Sequence, residues 1–299
     1  MYSVKCKEII GRWYKGKYKI IKPIGSGGVG EIYLANHEYR GLVALKVTKS
    51  MMSITKEYDV MKRYEGKDYI PKVYELDDFE IHGEIYHYFA MEYIKGYNLT
   101  KVMKDSLPLK LKIDIFIIIL QIIADINDEG LIYSDLKHEN IMVDERNLTI
   151  RLVDFGSLTQ FGKGVKEYTP LYDRCSWGLG DRVADISYQT FSAAILLMTL
   201  LIGRKLTPDK DKIKSAMDIL KKDNIPKTLI DLIEKVLKGD IIGCRVFLNN
   251  LRNIDLSEKD KVFGIDSWLD SIIAILVFLL GFMLMKLNET SFRGGINPR

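Results

Sequence analysis

The spacing of apolar residues predicts strands in the first third of the chain. Between Tyr18 and Val47 the order is strand, turn, strand, turn, strand, and strand-like sequence returns at Lys72–Leu76 and Ile85–Glu92. The segment Ile54–Tyr64 carries its apolar residues at helical spacing. We therefore expect one amphipathic helix among these strands.

After Gly96 the pattern becomes mainly helical, broken by short strands near Ile141–Val143 and Ile150–Val153. Two apolar stretches, Ile113–Ile123 and Phe191–Ile202, are too short to cross a bilayer, which takes about 20 residues. Because they are apolar on all sides, we interpret them as buried helices of a large domain. A small sheet region followed by a larger helical region predicts the α+β class.

A third apolar stretch is long enough to span a membrane. Residues 271–285 carry no charge, and the segment 268–287 has about 20 residues, which as a helix match the roughly 30 Å of a hydrocarbon core. The alternative, a buried helix, is disfavoured because a globular helix normally shows a polar stripe. We expect one transmembrane helix at 268–287, between a polar linker (257–267) and a short tail (288–299).

Composition narrows the classes of function. The formal net charge is +4 with both signs well mixed, so no basic stripe marks a nucleic-acid partner. Cys6, Cys175 and Cys244 are scattered, which argues against a disulfide framework or zinc site and fits a reducing cytosol. No apolar run near Met1 is long enough for a signal peptide, so we expect the bulk of the chain in the cytoplasm.

Two motifs in the strand region point to phosphate binding. In the GSGGVG sequence at 25–30, glycines let the backbone approach a phosphate, and its place between two strands argues against a dinucleotide fold. Lys46 lies in the apolar strand Val43–Val47, where an unpaired ammonium would be costly. Lys46 therefore needs anions, and Glu57 on the following helix is the expected partner, with Glu65 as the alternative.

Two motifs in the helical region carry candidate metal ligands. The first is YSDLKHEN at 133–140, and the second is Asp154-Phe155-Gly156, directly after an apolar run. Two carboxylates and a carboxamide near strand ends suit magnesium, which prefers oxygen ligands. The order and separations of all four motifs make chance a poor explanation.

Together the four motifs resemble the eukaryotic-type (Hanks-type) family of Ser/Thr protein kinases over residues 15–250. The resemblance implies a two-lobed kinase fold in residues 1–256, with a small β-rich N-lobe (14–94) and a larger helical C-lobe (95–256). It implies transfer of the γ-phosphoryl group of ATP to protein substrates, with magnesium, or alternatively manganese.

With the C-terminal span, the chain resembles a bacterial tail-anchored kinase. This resemblance implies a single-pass membrane protein whose kinase domain faces the cytoplasm. It leaves the oligomeric state open.

The resemblance also implies how ATP and its metal are held. Lys46 would bind the α- and β-phosphates and pair with Glu57. Glycines would cover the phosphates: Gly25, Gly27 and Gly30. Two residues would hold the magnesium ions: Asn140 and Asp154.

At the adenine end, Met91 resembles the gatekeeper and Asn98 a ribose contact. The backbone of Glu92 and Ile94 would bond the base. Three side chains would sandwich the ring: Ile32, Ala44 and Met142.

At the reacting end, Asp135 resembles the catalytic base that orients the acceptor hydroxyl, and Lys137 would neutralise charge on the γ-phosphoryl group. Thr169 resembles a threonine that hydrogen-bonds both, in the segment 169–172 that seats the substrate peptide. Asp185 resembles an aspartate that hydrogen-bonds the backbone of the catalytic loop (residues 133–140).

Some positions depart from the family pattern. Ser134 replaces an arginine that would bind phosphate on the activation loop, so we expect weak dependence on loop phosphorylation, with Thr159 as the expected autophosphorylation site. His138 replaces a proline. Arg245 lacks its usual glutamate partner, for which Asp173 or Asp181 is the expected substitute.

Two alternatives remain beside the protein kinase. A membrane-bound pseudokinase scaffold is favoured by the missing arginine and glutamate, but the residues of phosphoryl transfer are present: Lys46, Asp135, Asn140 and Asp154. A small-molecule kinase is disfavoured by Lys137 and the segment 169–172, and Lys137 favours Ser/Thr over Tyr as acceptor.

Overall fold

The structure is a computed structural model that describes residues 7–27, 30–104, 107–208, 211–223 and 225–256. The chain divides into two units, Met1–Ile254 and Asp255–Arg299. The predicted linker, transmembrane segment 268–287 and tail lie outside the described residues. Within the described part, no helix combines the length and the apolar character needed to cross a bilayer.

A six-stranded antiparallel sheet and one helix build the N-lobe. The strand order is β1-β2-β3-β4-β6-β5. The elements are β1 (Glu8–Ile10), β2 (Lys17–Gly27), β3 (Gly30–His37), β4 (Gly41–Thr48), α1 (Met51–Arg63), β5 (Val73–Ile81) and β6 (Glu84–Glu92). The predicted strands and helix are confirmed. The short strand β1 was missed because three residues are too few to show a period.

Helix α1 carries a functional residue on its buried face. Ser50 caps the helix by accepting a hydrogen bond from the Ser53 N–H. Ile54, Glu57 and Met61 are the buried residues of α1 and fall on one face at helical spacing. The two apolar residues dock α1 against the sheet, and Glu57 is thereby pointed inward.

The C-lobe is mainly helical. Its elements are β7 (Gly96–Asn98), α2 (Leu99–Lys104), α3 (Leu109–Asp128), β8 (Leu131–Tyr133), β9 (Ile141–Asp144), β10 (Ile150–Leu152), β11 (Leu158–Gln160), α4 (Ile186–Ile202), α5 (Ile213–Lys222), α6 (Lys227–Lys238) and α7 (Cys244–Arg252). Two small sheets, β10-β9-β7 and β11-β8, hold the loops between the helices.

Helix α4 is the centre of the C-lobe. Every residue from Tyr188 to Leu201 is buried, as predicted for this apolar stretch. Asp185 caps its start by accepting from the Tyr188 N–H at 2.6 Å, and Gly203 ends it in the left-handed conformation with φ 76°. A small sheet lobe followed by a helical lobe confirms the α+β, kinase-type fold class.

Candidate active site

A cleft of about 980 Å³ is lined by residues of both lobes. Its lining brings together 15 of the 17 residues that the sequence assigned to ATP binding, metal binding and catalysis. These are Gly25, Gly30, Ile32, Ala44, Lys46, Met91, Glu92, Ile94, Asn98, Asp135, Lys137, Asn140, Met142, Asp154 and Thr169. Of the two others, Gly27 pairs with Gly30 across the β2–β3 hairpin, and Glu57 is buried beside Lys46.

The glycine at position 30 is required by packing. A Cβ there would lie 2.4 Å from the carbonyl oxygen of Val47 on β4, so no other residue fits without moving the strands apart. A Cβ on Gly25 would make only ordinary contact with Ile32, at 3.6 Å. Gly30 therefore holds the hairpin close to β4, while Gly25 leaves the cleft side of β2 open.

Lys46 and Glu57 form a buried ion pair. The Lys46 Nζ lies 2.5 Å from Glu57 Oε2 and 3.4 Å from Asp154 Oδ1. Burial alone would lower the pKa of the Lys46 ammonium, but the two carboxylates outweigh it and raise this pKa. Glu65, the alternative partner, pairs with Lys62 at the end of α1.

The same helix also fixes the segment that begins at Asp154. The Phe155 N–H donates to Glu57 Oε1 at 3.4 Å, and Lys56 Nζ donates to the Gly156 carbonyl at 2.9 Å. The Gly156 N–H donates to Asp154 Oδ1 at 3.3 Å. The Asp154 carboxylate is thus oriented by its own turn, with Lys46 beside it.

The Asp135 carboxylate is held by three side chains. Thr169 Oγ1 donates to its Oδ1 at 2.7 Å. Lys137 Nζ donates to its Oδ2, and Asn140 Nδ2 donates to the Asp135 carbonyl at 3.0 Å and to Oδ2 at 3.3 Å. Asp135 is also buried, so these contacts and the surrounding packing fix its position within the cleft.

The apolar end of the cleft is built from both lobes. Ala44 on β4 is paired with Met91 on β6, and Met142 on β9 is paired with Asn98 on β7. The Glu92 carboxylate is engaged by two arginines that the sequence did not single out, Arg151 at 2.6 Å and Arg146 at 2.7 Å. Glu92 can therefore offer a nucleotide only its backbone.

Residues 18–243 match the protein kinase domain family. The chain belongs to this family. It is 33% identical over 218 residues to serine/threonine-protein kinase YabT of Bacillus subtilis, covering 70% of this chain and 64% of YabT. It is 26% identical over 212 residues to serine/threonine-protein kinase PrkC of Bacillus subtilis, covering 66% and 32%. The chain thus spans less than two thirds of the length of these relatives.

A third similar protein comes from a different organism. Over 208 residues the chain is 28% identical to serine/threonine-protein kinase pkn2 of Myxococcus xanthus, which covers 63% of this chain and 25% of pkn2. All three similar proteins are named serine/threonine-protein kinases.

Ser134, which departs from the family pattern, makes uncharged hydrogen bonds to the activation segment. Its buried hydroxyl lies 2.7 Å from the Ser157 carbonyl and 2.8 Å from the Glu167 carbonyl. The serine therefore bridges the catalytic loop to both halves of the activation segment (residues 154–174). No phosphate is needed for this contact.

Backbone pairing also holds residues 158–165 of the activation segment. Strand β11 pairs with β8, and hydrogen bonds of 2.8–3.0 Å join residues 162–165 to residues 182–184. Thr159 lies within β11, where its hydroxyl donates to the Ser157 carbonyl at 3.0 Å. Phosphorylation at Thr159 would remove the hydrogen bond from its hydroxyl to the Ser157 carbonyl.

We therefore expect Thr159→Ala to change phosphoryl-transfer turnover by less than about tenfold, since at most one charge-assisted contact is at stake. The measurement is turnover of the variant before and after phosphatase treatment. A near-total loss on dephosphorylation that preincubation with ATP restores would contradict the expectation, because it would reveal a phosphate-binding cation elsewhere.

The anchor of the catalytic-loop backbone is Gln189, and the prediction for Asp185 is wrong. The Tyr133 N–H donates to Gln189 Oε1 at 2.6 Å from within buried α4. Asp185 is occupied with capping α4 and with Arg174, 3.3 Å away. An aspartate before a helix is foremost an N-cap signal, which sequence reasoning overlooked here.

The predicted substitute partners of Arg245 are also wrong. Arg245 pairs with Asp125 at 2.9 Å and with Asp128, both on α3. Asp173 instead binds Arg182 at 2.8 Å, and the Asp181 carbonyl accepts from Arg174. Asp125 and Asp128 lie three residues apart on α3, but this spacing does not indicate which distant arginine they bind.

His138 is a buried link that the sequence marked only as a departure. Its Nδ1 hydrogen-bonds the Tyr172 hydroxyl, and its Nε2 lies 3.4 Å from Thr199 Oγ1 on α4. It thus ties the catalytic loop to the segment that follows Thr169. Burial lowers the pKa of His138 to about 4.

This lowered pKa predicts acid sensitivity. The pKa of His138 is about 6.5 in the unfolded chain and about 4 in the native protein. Between these two pH values His138 is protonated in the unfolded chain and neutral in the native protein. Stability should therefore fall as pH drops through this window, by at most about 1.4 kcal/mol per pH unit from this residue. Denaturant melts of wild type and His138→Gln from pH 7 to 4.5 check this, and identical slopes would contradict it.

Proposed function

We propose that the chain is a Ser/Thr protein kinase that transfers the γ-phosphoryl group of MgATP to protein hydroxyls. The observation that carries the proposal is the arrangement of Asp135. An oriented carboxylate with Lys137 and Thr169 around it is suited to position an acceptor hydroxyl. The names of the similar proteins, serine/threonine-protein kinases, support the same acceptor class.

The residues of the cleft fit ATP. The paired ammonium of Lys46 supplies a fixed positive charge for phosphate oxygens. The open side of Gly25 leaves space beside the hairpin, and apolar side chains from both lobes line the other end. The adenine ring would lie between Ile32, Ala44 and Met142.

The donor set also fits a divalent cation. Asn140 and Asp154 offer oxygen ligands of the kind that magnesium prefers, and manganese accepts the same set. Among the residues the structure describes, no cluster of three or more His, Cys, Asp or Glu side chains is placed to hold a metal. The bound ion would complete its shell with phosphate oxygens and water, and it would neutralise charge on the transferring group.

Labelled ATP tests the proposal. The protein is incubated with γ-labelled ATP, magnesium and two generic acceptor proteins, one acidic and one basic. We expect label on serine and threonine of an acceptor or of the chain itself. If no label is transferred to any protein under any condition, the chain is a pseudokinase and the proposal fails.

We also propose that residues 268–287 anchor the chain in a membrane, with the kinase domain on the cytoplasmic side where ATP is available. The support is the uncharged run of residues 271–285. We expect the full chain to resist extraction by alkaline carbonate, and a chain ending at Leu256 to remain in the supernatant with its activity intact. Release of the full chain by carbonate would contradict the anchor.

A further inference from the structure

Three lysines from separate segments line the same cleft as Asp135. Lys101 lies on α2, Lys166 precedes Thr169 by three residues, and Lys205 follows the end of α4. The Lys101 ammonium lies 3.3 Å from the centroid of the Tyr97 ring. Lys166 is exposed. The cleft therefore carries more cations than the nucleotide residues require.

The carboxylates nearby do not cancel these charges. Glu139, next to Asn140 in the catalytic loop, is paired with Lys205. A basic acceptor segment would have to displace Lys205 to reach this carboxylate.

Glu167 faces the other way. Its Oε2 lies 3.4 Å from the point where a Cβ on Gly156 would stand, and Asp154 Oδ1 lies 3.5 Å from the same point. It therefore points to the metal end of the cleft. Within the described part of the chain, no ion pair occupies Lys101 or Lys166, and both are free to meet an anion.

On the basis of the kinase activity proposed above, we propose that the acceptor site selects Ser or Thr flanked by acidic side chains. Lys101 and Lys166 bind the flanking carboxylates. Lys205 neutralises Glu139, so basic residues beside the acceptor find no free carboxylate to pair with there. Complementary charge selects partners mainly by penalising like-charged ones. The substrate class is therefore an acidic segment around the acceptor hydroxyl.

Matched peptides test the specificity. They share one acceptor threonine and differ only in flanks of Asp/Glu, Ala or Lys/Arg. At saturating ATP we expect kcat/KM to be about tenfold higher with acidic than with basic flanks, less so as salt is raised. The double variant Lys101→Glu/Lys166→Glu should reverse the order. The control Lys227→Glu, an exposed lysine at the start of α6 and outside the cleft, should leave it unchanged.

A reciprocal pair of variants isolates the screened carboxylate. Lys205→Ala should free Glu139 and raise kcat/KM for the basic peptide by roughly threefold or more, whereas Glu139→Gln should not. Equal rates on all three peptides, or a preference of the wild type for basic flanks, overturn this inference while the kinase activity stands. Absence of transfer to any peptide and to the chain itself overturns the proposed function, and the specificity falls with it.

Discussion

Replacing Asp135 with Asn is expected to lower phosphoryl-transfer turnover by about 10²–10⁴-fold, the usual worth of general-base assistance. The carboxamide keeps the shape of the side chain but cannot take the proton of an acceptor hydroxyl. Two of the surrounding contacts, from Thr169 Oγ1 and Asn140 Nδ2, would each meet an amide in place of a carboxylate. The measurement is the initial rate at saturating ATP and acceptor.

A matched control separates chemistry from folding. Asp114, half-exposed on α3 and 3.7 Å from Lys110, takes no part in the cleft, so Asp114→Asn should retain the wild-type rate. Nucleotide affinity and melting temperature of Asp135→Asn should stay close to wild type. Wild-type turnover in Asp135→Asn would show that the catalytic loop has been misassigned.

Removing the Asp154 carboxylate should have the second large effect. We expect Asp154→Ala to abolish magnesium-dependent ATP turnover, because Asp154 would supply one of the carboxylate ligands that hold the ion beside the phosphates. Since Asp154 is one of the two proposed metal ligands, nucleotide affinity should lose its dependence on magnesium as well. The same change also removes a carboxylate that lies 3.4 Å from Lys46. Nucleotide binding titrated at several magnesium concentrations measures both.

The conservative variant Asp154→Asn refines this test. Its amide oxygen can still accept the Gly156 N–H, so the local turn should survive while the negative charge is lost. We expect turnover far below wild type in this variant too. Turnover by the wild-type chain that continues undiminished in excess EDTA would refute the metal assignment.

The sequence predicted this fold well because local pattern and tertiary structure agree. The alternation of apolar and polar residues indicated the N-lobe strands. Glu57 could be identified as the partner of Lys46 because it shares a helix face with Ile54 and Met61. The motif residues of the cleft were found through the resemblance of their motifs to those of the kinase family. Their roles remain predictions until the variants are measured.

Partners that meet only through tertiary packing could not be predicted. Gln189 reaches Tyr133 from a helix 56 residues later, and nothing in an apolar stretch says which way its one amide faces. Arg245 found Asp125 and Asp128 across 120 and 117 residues. Such contacts depend on how α7 docks on α3, which a one-dimensional pattern does not contain.

The hydrogen bonds of Ser134 have a consequence for how long the effect of a signal would last. A kinase activated by phosphorylation of its activation segment stays active after the signal has ended, until a phosphatase removes the phosphate. An activation segment held by a serine hydroxyl and by backbone pairing carries no such modification. The phosphorylation rate of such an enzyme would depend on the amount of enzyme present and on the supply of substrate. Past signals could then change this rate through synthesis and degradation of the chain.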